Sequence, residues 1–431
     1  MQTAPAGAAP AFSFFWVIAA LWLLVFTAGS QVMVIAPILP RIAEQLGTPE
    51  ALLGTLVTVY AVMTGFVAIL AGPISDRIGR RRILLWGTAL EVVALALHGL
   101  ADSFAALLAM RALAGAAGGV LAGAAIAYVG DAFPRHRRGW ANGWVMSGMA
   151  AGQILGIPAG AILAAQFGFR APFLAFAVLM AITWVLVWFK VPQPPVERVR
   201  RLTFASAFAG YRVLLKRREV RLAAFLLGLM FGGTALFVTY LPTFLEVGRG
   251  MTPGAVAAIF LVGGVASALA GPVAGRLSDD LGRKRVVATS SMIVALVMAA
   301  FPFASVNVWA VYPLFFAVMV GFAGRGSPFQ VLITELSGSE QRGSLMGFTV
   351  AVGQVGFGLG GALAGVMYAS FATPASGYAA TALLASASAV AVTVLLLWLM
   401  PEPAHGRDLP APASPLNPTQ SAALARARTM D

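Results

Sequence analysis

Apolar residues in this chain fall in long unbroken runs, not in one-sided stripes or strict alternations. Twelve runs of about 20 residues or more stand out: 12–38, 50–71, 83–101, 104–130, 140–164, 170–190, 220–246, 253–274, 285–303, 307–333, 343–371 and 376–400. A helix needs about 20 consecutive apolar residues to cross the hydrocarbon of a bilayer. Strands of a membrane barrel would instead alternate apolar and polar positions over about ten residues. These runs are longer and apolar all round, so the pattern predicts an all-α integral membrane protein with twelve transmembrane helices.

Composition agrees. Of 431 residues 59% are hydrophobic and 10% charged, with a mean hydropathy of +0.86, against roughly 45–50% and a quarter in soluble domains. The opening "MQTAPAGAAP" has no basic residue, and the run after it is long enough to span, so span 1 is expected to be retained rather than cleaved as a signal. There is no cysteine, which excludes disulfides and thiol chemistry.

The net charge of +13 changes meaning once it is located. Of 29 Lys and Arg, 24 fall in the tail and in alternate loops: 72–82, 131–139, 190–221, 275–285 and 335–343. The opposite loops hold only Arg41, Arg170 and Arg249, and Arg111 and Arg325 lie inside spans. This asymmetry follows the positive-inside rule. It predicts cytoplasmic basic loops, cytoplasmic termini and a multi-pass protein of the cell (inner) membrane. The surplus charge then reflects topology and anionic lipid, and no nucleic-acid partner is expected.

Residues 191–219, "VPQPPVERVRRLTFASAFAGYRVLLKRRE", form the only long polar interruption. They read as a cytoplasmic linker with an amphipathic segment around Phe204–Leu215 on the membrane surface. The domains expected are a six-helix bundle over 1–190, the linker 191–219, a second six-helix bundle over 220–400, and a Pro- and Ala-rich disordered tail over 401–431.

The halves repeat. Leu39-Pro40, expected to end helix 1, recurs as Leu241-Pro242 at the end of helix 7. "GPISDRIGRRR" (72–82) matches "GRLSDDLGRKR" (275–285), with Gly72, Asp76, Gly79, Arg80 and Arg82 recurring as Gly275, Asp279, Gly282, Arg283 and Arg285. "DAFPRHRRG" (131–139) matches "ELSGSEQRG" (335–343). Six spans per half is an even number, so both halves enter from the same side. The repeat is parallel, as in transporters with a substrate site between two bundles.

On these residues the chain resembles the major facilitator superfamily over its length to about residue 400. The Gly-x-x-x-Asp-Arg-x-Gly-Arg-Arg pattern of loop 2–3 is that family's most specific signature, and its degenerate copy stands in loop 8–9. Arg111, Gly115 and Gly119 in span 4 are similar to a second family motif. Gly148, Gly152, Gly156 and Gly160 with Pro158 in span 5 resemble the motif of antiporters, although Ile157 separates the usual Gly-Pro pair.

The resemblance implies two pseudo-symmetric six-helix bundles, alternating access and no cofactor. It also implies that Asp76, Arg77 and Arg80 join Asp131 in a relay at the cytoplasmic gate, repeated by Asp279, Arg283 and Glu335. Such pairs would clamp the gate when the protein faces outward and break when it faces inward. The bland alternative is that the arginines only fix topology.

Other candidates come from charge inside spans. Glu91 lies nine residues after Arg82 and eleven before Asp102, near mid-helix at 1.5 Å per residue. An acid there is costly to ionise and is by default a functional residue. His98 follows on nearly the same face. Glu91 either binds a coupling proton, pairs structurally with Arg111, or sits at the lipid edge. Arg325, in the Gly-Ser-Pro stretch "GFAGRGSPFQ", is expected in a break of helix 10. It either faces a cavity and contacts an anionic group, or snorkels or pairs internally.

Gln31, Tyr240, Gln153 and Gln330 are candidate substrate contacts among many aromatics. Many drug antiporters of the family carry an acid where Gln31 stands. The small residues at 148, 152, 156, 356 and 360 allow close helix approach.

The reading is a secondary transporter of a small molecule, proton-coupled and monomeric, most simply an exporter of drugs or small metabolites, sugar-like or amphiphilic. An uptake symporter or facilitator, or a non-transporting receptor or scaffold, are the alternatives. No phosphate loop, protease motif or metal cluster is found, so neither an enzyme nor an ATP-driven pump is expected.

Overall fold

A computed structural model describes residues 14–134, 137–194, 215–335 and 342–400. Most of the linker with its amphipathic segment, and the tail 401–431, lie outside the described residues. Twelve helices among those described are long and apolar enough to cross a membrane.

In the first half these are α1 (Phe14–Leu46), α2 (Glu50–Ile78), α3 (Arg80–Leu97), α4 (Phe104–Leu121, continued by Ala124–Ala132), α5 (Arg138–Ala151, continued through Gly152–Gly156 and Ile157–Phe167) and α6 (Arg170–Lys190). In the second they are α7 (Arg218–Val238, continued by Leu241–Thr243 and Phe244–Gly248), α8 (Pro253–Leu281), α9 (Arg283–Ala304), α10 (Val308–Glu335), α11 (Arg342–Ala369) and α12 (Pro374–Leu399).

Neighbours repeat between the halves. α2 packs on α4 as α8 packs on α10, and α3 on α6 as α9 on α12. Each repeated loop turns on one glycine. Gly79 (φ 101°) is the single residue between α2 and α3, and Gly282 (φ 92°) the single residue between α8 and α9. A side chain there would be strained, so this glycine of the motif is a backbone requirement.

Prolines do not stop helices where the sequence predicts. α1 runs through Pro37 and Pro40 to Leu46, so Leu39-Pro40 does not end it. In the second half the main helix stops earlier, at Val238. Pro242 has no N–H to bond the Val238 carbonyl, and the chain restarts as a short turn at Leu241. α5 meets Pro158 differently, by a π turn over Gly152–Gly156 that widens the helix by one residue. α10 is continuous past Arg325 and Pro328, so the expected break there does not exist.

The interior is divided unevenly between the two membrane faces. On the side away from the basic loops, one apolar core joins both halves: Ile38, Ile42 and Leu53 lie in the same cluster as Leu241, Phe244 and Tyr368. On the basic side there are two cores. One, with Leu21, Leu84 and Tyr128, belongs wholly to the first half, and the other, with Leu226, Val287 and Phe329, wholly to the second. Among the described buried residues, the halves therefore share one core on one face (the sealed face) and have separate cores on the other.

Candidate functional site

Where the shared core ends, a cavity of about 290 Å³ lies between the halves. α1 contributes Met33, α5 Gln153 and Ile157, and α7 Thr234 and Val238. α8 supplies Phe260, Gly263, Gly264 and Ser267, and α10 Phe315, Met319, Phe322 and Ala323. Ile157, Val238, Phe260 and Phe315 also belong to the shared core, which forms its roof. Among the described residues no charged side chain lines it. Three polar groups among aromatic rings and thioethers make a site that selects by shape and apolar contact, with Gln153, Thr234 and Ser267 as its hydrogen-bonding points.

Of the five candidate substrate contacts read from the sequence, Gln153 lies in this wall and the other four lie elsewhere. Gln31 is buried against Glu91. Tyr240 is buried at the sealed face, where its hydroxyl donates to the Glu50 carbonyl and accepts from Gly54 N at 3.0 Å. Gln330 is exposed outside the cavity lining. Arg325 stands behind the wall. Its guanidinium donates to the Met230 carbonyl at 3.0 Å and to Thr234 Oγ1 at 3.1 Å, and it lies 4.9 Å from the Phe322 ring. It is thus internally paired and braces two wall residues. Met33, Phe260, Met319 and Phe322 were missed, because in an apolar span a residue facing a cavity looks like one facing lipid.

Beside the cavity, inside the first half, sits a buried polar cluster. Glu91 accepts at Oε1 from Gln31 Nε2, and its Oε2 has no partner. Among the described residues Glu91 makes no ion pair with Arg111, which corrects the structural pairing considered above. Arg111 is fully buried, with its guanidinium 4.2 Å from the Tyr60 ring centre, Nε 3.5 Å from the Leu56 carbonyl, and both terminal nitrogens unpartnered. His98 Nδ1 lies 2.7 Å from the Ala94 carbonyl, its ring stacks on Phe173 at 4.2 Å, and Nε2 is unpartnered.

The motif residues of the basic loops are only partly described. Arg80 Nε donates to Asp131 Oδ2 at 2.6 Å and Arg80 Nη1 to Ser75 Oγ at 2.9 Å. In the second half Arg283, the counterpart of Arg80, lies 3.8 Å from Asp279, the counterpart of Asp76. The side chains of Asp76, Arg77 and Glu335 lie outside the described residues. Each of these two pairs lies within one half.

The glycine ridges pack in matching ways. A Cβ on Gly148 or Gly152 would meet α1 backbone at Trp22 O or Phe26 O at 2.5 Å, and one on Gly156 the Ser30 side chain. Gly356 and Gly360 sit as closely on Gly228 and Gly232 of α7, the second-half counterpart of α1. Gly115 and Gly119 press on α2 at Tyr60 and Thr64.

The family model of the Major Facilitator Superfamily matches residues 21–269 and 250–429. The chain belongs to the major facilitator superfamily. Among its relatives is the uncharacterized MFS-type transporter YceJ of Bacillus subtilis (strain 168), 28% identical over 360 residues that cover 81% of this chain and 89% of the relative. Another is the multidrug resistance protein MdtG of Dickeya zeae (strain Ech586), 28% identical over 403 residues, 90% of this chain and 95% of the relative.

Two solved structures share the fold. A bacterial homologue of the human lysosomal transporter Spinster, inward-facing and unoccupied, has a TM-score of 0.72 at 16% identity, covering 91% of this chain and 96% of that one. A D-xylose–proton symporter has a TM-score of 0.75 at 16% identity, covering 90% and 98%. This superfamily member is thus a twelve-helix membrane transporter of the two-bundle type.

Proposed function

We propose that this transporter exports lipophilic or amphiphilic drug-like molecules from the cytoplasm by alternating access, in exchange for protons. The observation that carries the reading is the divided interior, one core across both halves on one face and two on the other, with an uncharged aromatic cavity where they meet. With the basic loops cytoplasmic, this is an inward-facing arrangement in a cell inner membrane, and both termini are inside. Each chain contains both halves of the cavity, so a monomer suffices. The relatives named for multidrug resistance support export, and a lining whose described residues are mostly apolar fits a lipophilic ligand better than a sugar.

Glu91 is the proposed proton site, with Arg111 and His98 as the charged or ionisable groups that share its pocket. Arg80 with Asp131 and Arg283 with Asp279 we assign to holding the cytoplasmic end of each half rigid, together with Asp76, Arg77 and Glu335 of the same motif. The test is a panel of lipophilic fluorescent dyes in proteoliposomes under an imposed pH gradient. Proton-driven dye movement that is lost in a well-folded Glu91→Gln variant is the expected result. Movement of no dye, or an unchanged response in Glu91→Gln, overturns the reading. Inverted vesicles separate export from uptake by the direction in which dye accumulates.

A further inference from the structure

Gln31 of α1 and Glu91 of α3 are joined by a buried hydrogen bond, and both have one more atom ready to bond. Gln31 Nε2 donates to Glu91 Oε1, while Gln31 Oε1 and Glu91 Oε2 are buried without partners. A primary amide both donates and accepts, an ionised carboxyl only accepts, and a protonated carboxyl has one O–H to donate. The observed bond therefore suits the ionised acid. When a proton from water is taken up by a carboxylate lone pair, the new O–H needs an acceptor, and Gln31 Oε1 is the free one. A buried donor left without an acceptor is unfavourable, so the amide, which only donates to the carboxylate, must shift to accept from the carboxyl through Oε1. One O–H bond forms on the carboxyl and one breaks in the hydronium that gives up the proton, which leaves as water.

The other groups near this carboxyl do not offer the same exchange. Arg111 on α4 only donates and lies over the Tyr60 ring of α2. His98, seven residues along α3, is tied to Ala94 and Phe173. α6 brings no titratable group to it, because Arg170 and Lys190 stand at that helix's two ends. Tyr128 and Asp131, on the second segment of α4, lie at the basic end with Arg80 and Pro192.

What the amide would move is set by α1. Two residues after Gln31, Met33 lines the cavity. Pro37 and Pro40 follow, each removing one helical hydrogen bond and leaving α1 easier to bend there. Arg41 comes next, and its Nη2 lies 3.3 Å from Glu246 Oε2 of α7, across the sealed face. One helix thus carries the acid's partner, a cavity residue, a weak segment and a link to the other half.

We propose that Gln31 is the positioning residue that passes the protonation state of Glu91 to α1, by donating to the carboxylate and accepting from the carboxyl. Movement of α1 then changes the cavity wall at Met33 and the sealed face at Arg41. This rests on Glu91 being the proton site, and the experiment separates the two ideas.

The chain has no cysteine, so Leu100→Cys and Val306→Cys, exposed on the two halves at the sealed face, give a clean spin-label pair in the full-length protein in lipid nanodiscs. Inter-label distance and the infrared carboxyl band are followed through a pH jump across neutrality. The unsubstituted Gln31–Glu91 background should show a distance shift and a carboxyl band, both absent in Glu91→Gln. If Glu91→Gln keeps them, the proton-site reading fails and this proposal with it.

Gln31→Leu should keep the carboxyl band at a changed frequency and lose the distance shift, with Gln31→Asn restoring part of it. A full distance shift in Gln31→Leu, together with its loss in Glu91→Gln, overturns the role of Gln31 and leaves Glu91 standing. If Gln31→Leu does not fold, Gln31→Met, which keeps the length but has no N–H, is read the same way.

Discussion

Arg111 shows how a charge is held in this membrane interior without a counter-charge. Its flat guanidinium lies over the Tyr60 ring at 4.2 Å, and among the described residues its terminal nitrogens have no partner. Such a contact is worth about 2 kcal/mol when desolvated. Lysine has neither the plane nor the fork, so Arg111→Lys should destabilise the protein by about 1–2 kcal/mol. Tyr60→Leu should cost a similar amount and Tyr60→Phe much less, all read as melting temperature in detergent. At the basic face, Arg80 and Asp131 are only partly exposed at 2.6 Å, and a double-mutant cycle with alanine should return a coupling of about 1 kcal/mol. A coupling of zero would mean that this motif pair serves topology alone. The charged residues of both sites were legible in the sequence because charge inside an apolar run is rare. The Gln31–Glu91 bond was not, since an amide 60 positions from its partner carries no periodic signal.

Among the helices, close approach is set by single glycines, and the structure separates those that matter. Gly148→Ala would drive its methyl toward the Trp22 carbonyl at 2.5 Å, backbone that cannot turn aside. It should destabilise by about 1–3 kcal/mol. Gly143 of the same helix has nothing within 4 Å of an added Cβ, and Gly143→Ala should be neutral or stabilising by up to about 1 kcal/mol. Thermal unfolding of the two variants side by side checks the contrast, and equal effects would remove packing as the reason for the ridge. The spans themselves were legible because the helices are apolar all round and most are bounded by charge or proline. Their ends were less so: Pro40 is absorbed within α1 and Pro328 within α10, whereas α7 halts at Val238 ahead of Pro242. Proline removes the same hydrogen bond at each place, and tertiary packing decides whether the helix continues.

For the whole molecule, the sealed face is where the two halves make charged and hydroxyl contacts with each other. Arg41 reaches Glu246 at 3.3 Å, and Tyr240 of the second half caps the start of α2 while stacking on Tyr368 at 4.7 Å. A partly exposed ion pair is worth up to about 1 kcal/mol, a roughly fivefold change in a two-state population. Arg41→Ala or Glu246→Ala should therefore favour the opposite state without unfolding the protein, and the exchange Arg41→Glu with Glu246→Arg should restore the balance. The readout is a single cysteine at Met319, in the cavity wall, in a chain that has no other. A membrane-impermeant maleimide should reach it in inside-out vesicles and be blocked in right-side-out ones, because the shared core lies between the cavity and that face. With Arg41→Ala, labelling from the right-side-out face should rise as labelling from the inside-out face falls. Equal labelling from both faces in every variant would mean that the ion pair does not hold the halves, and the seal would then rest on the apolar core alone.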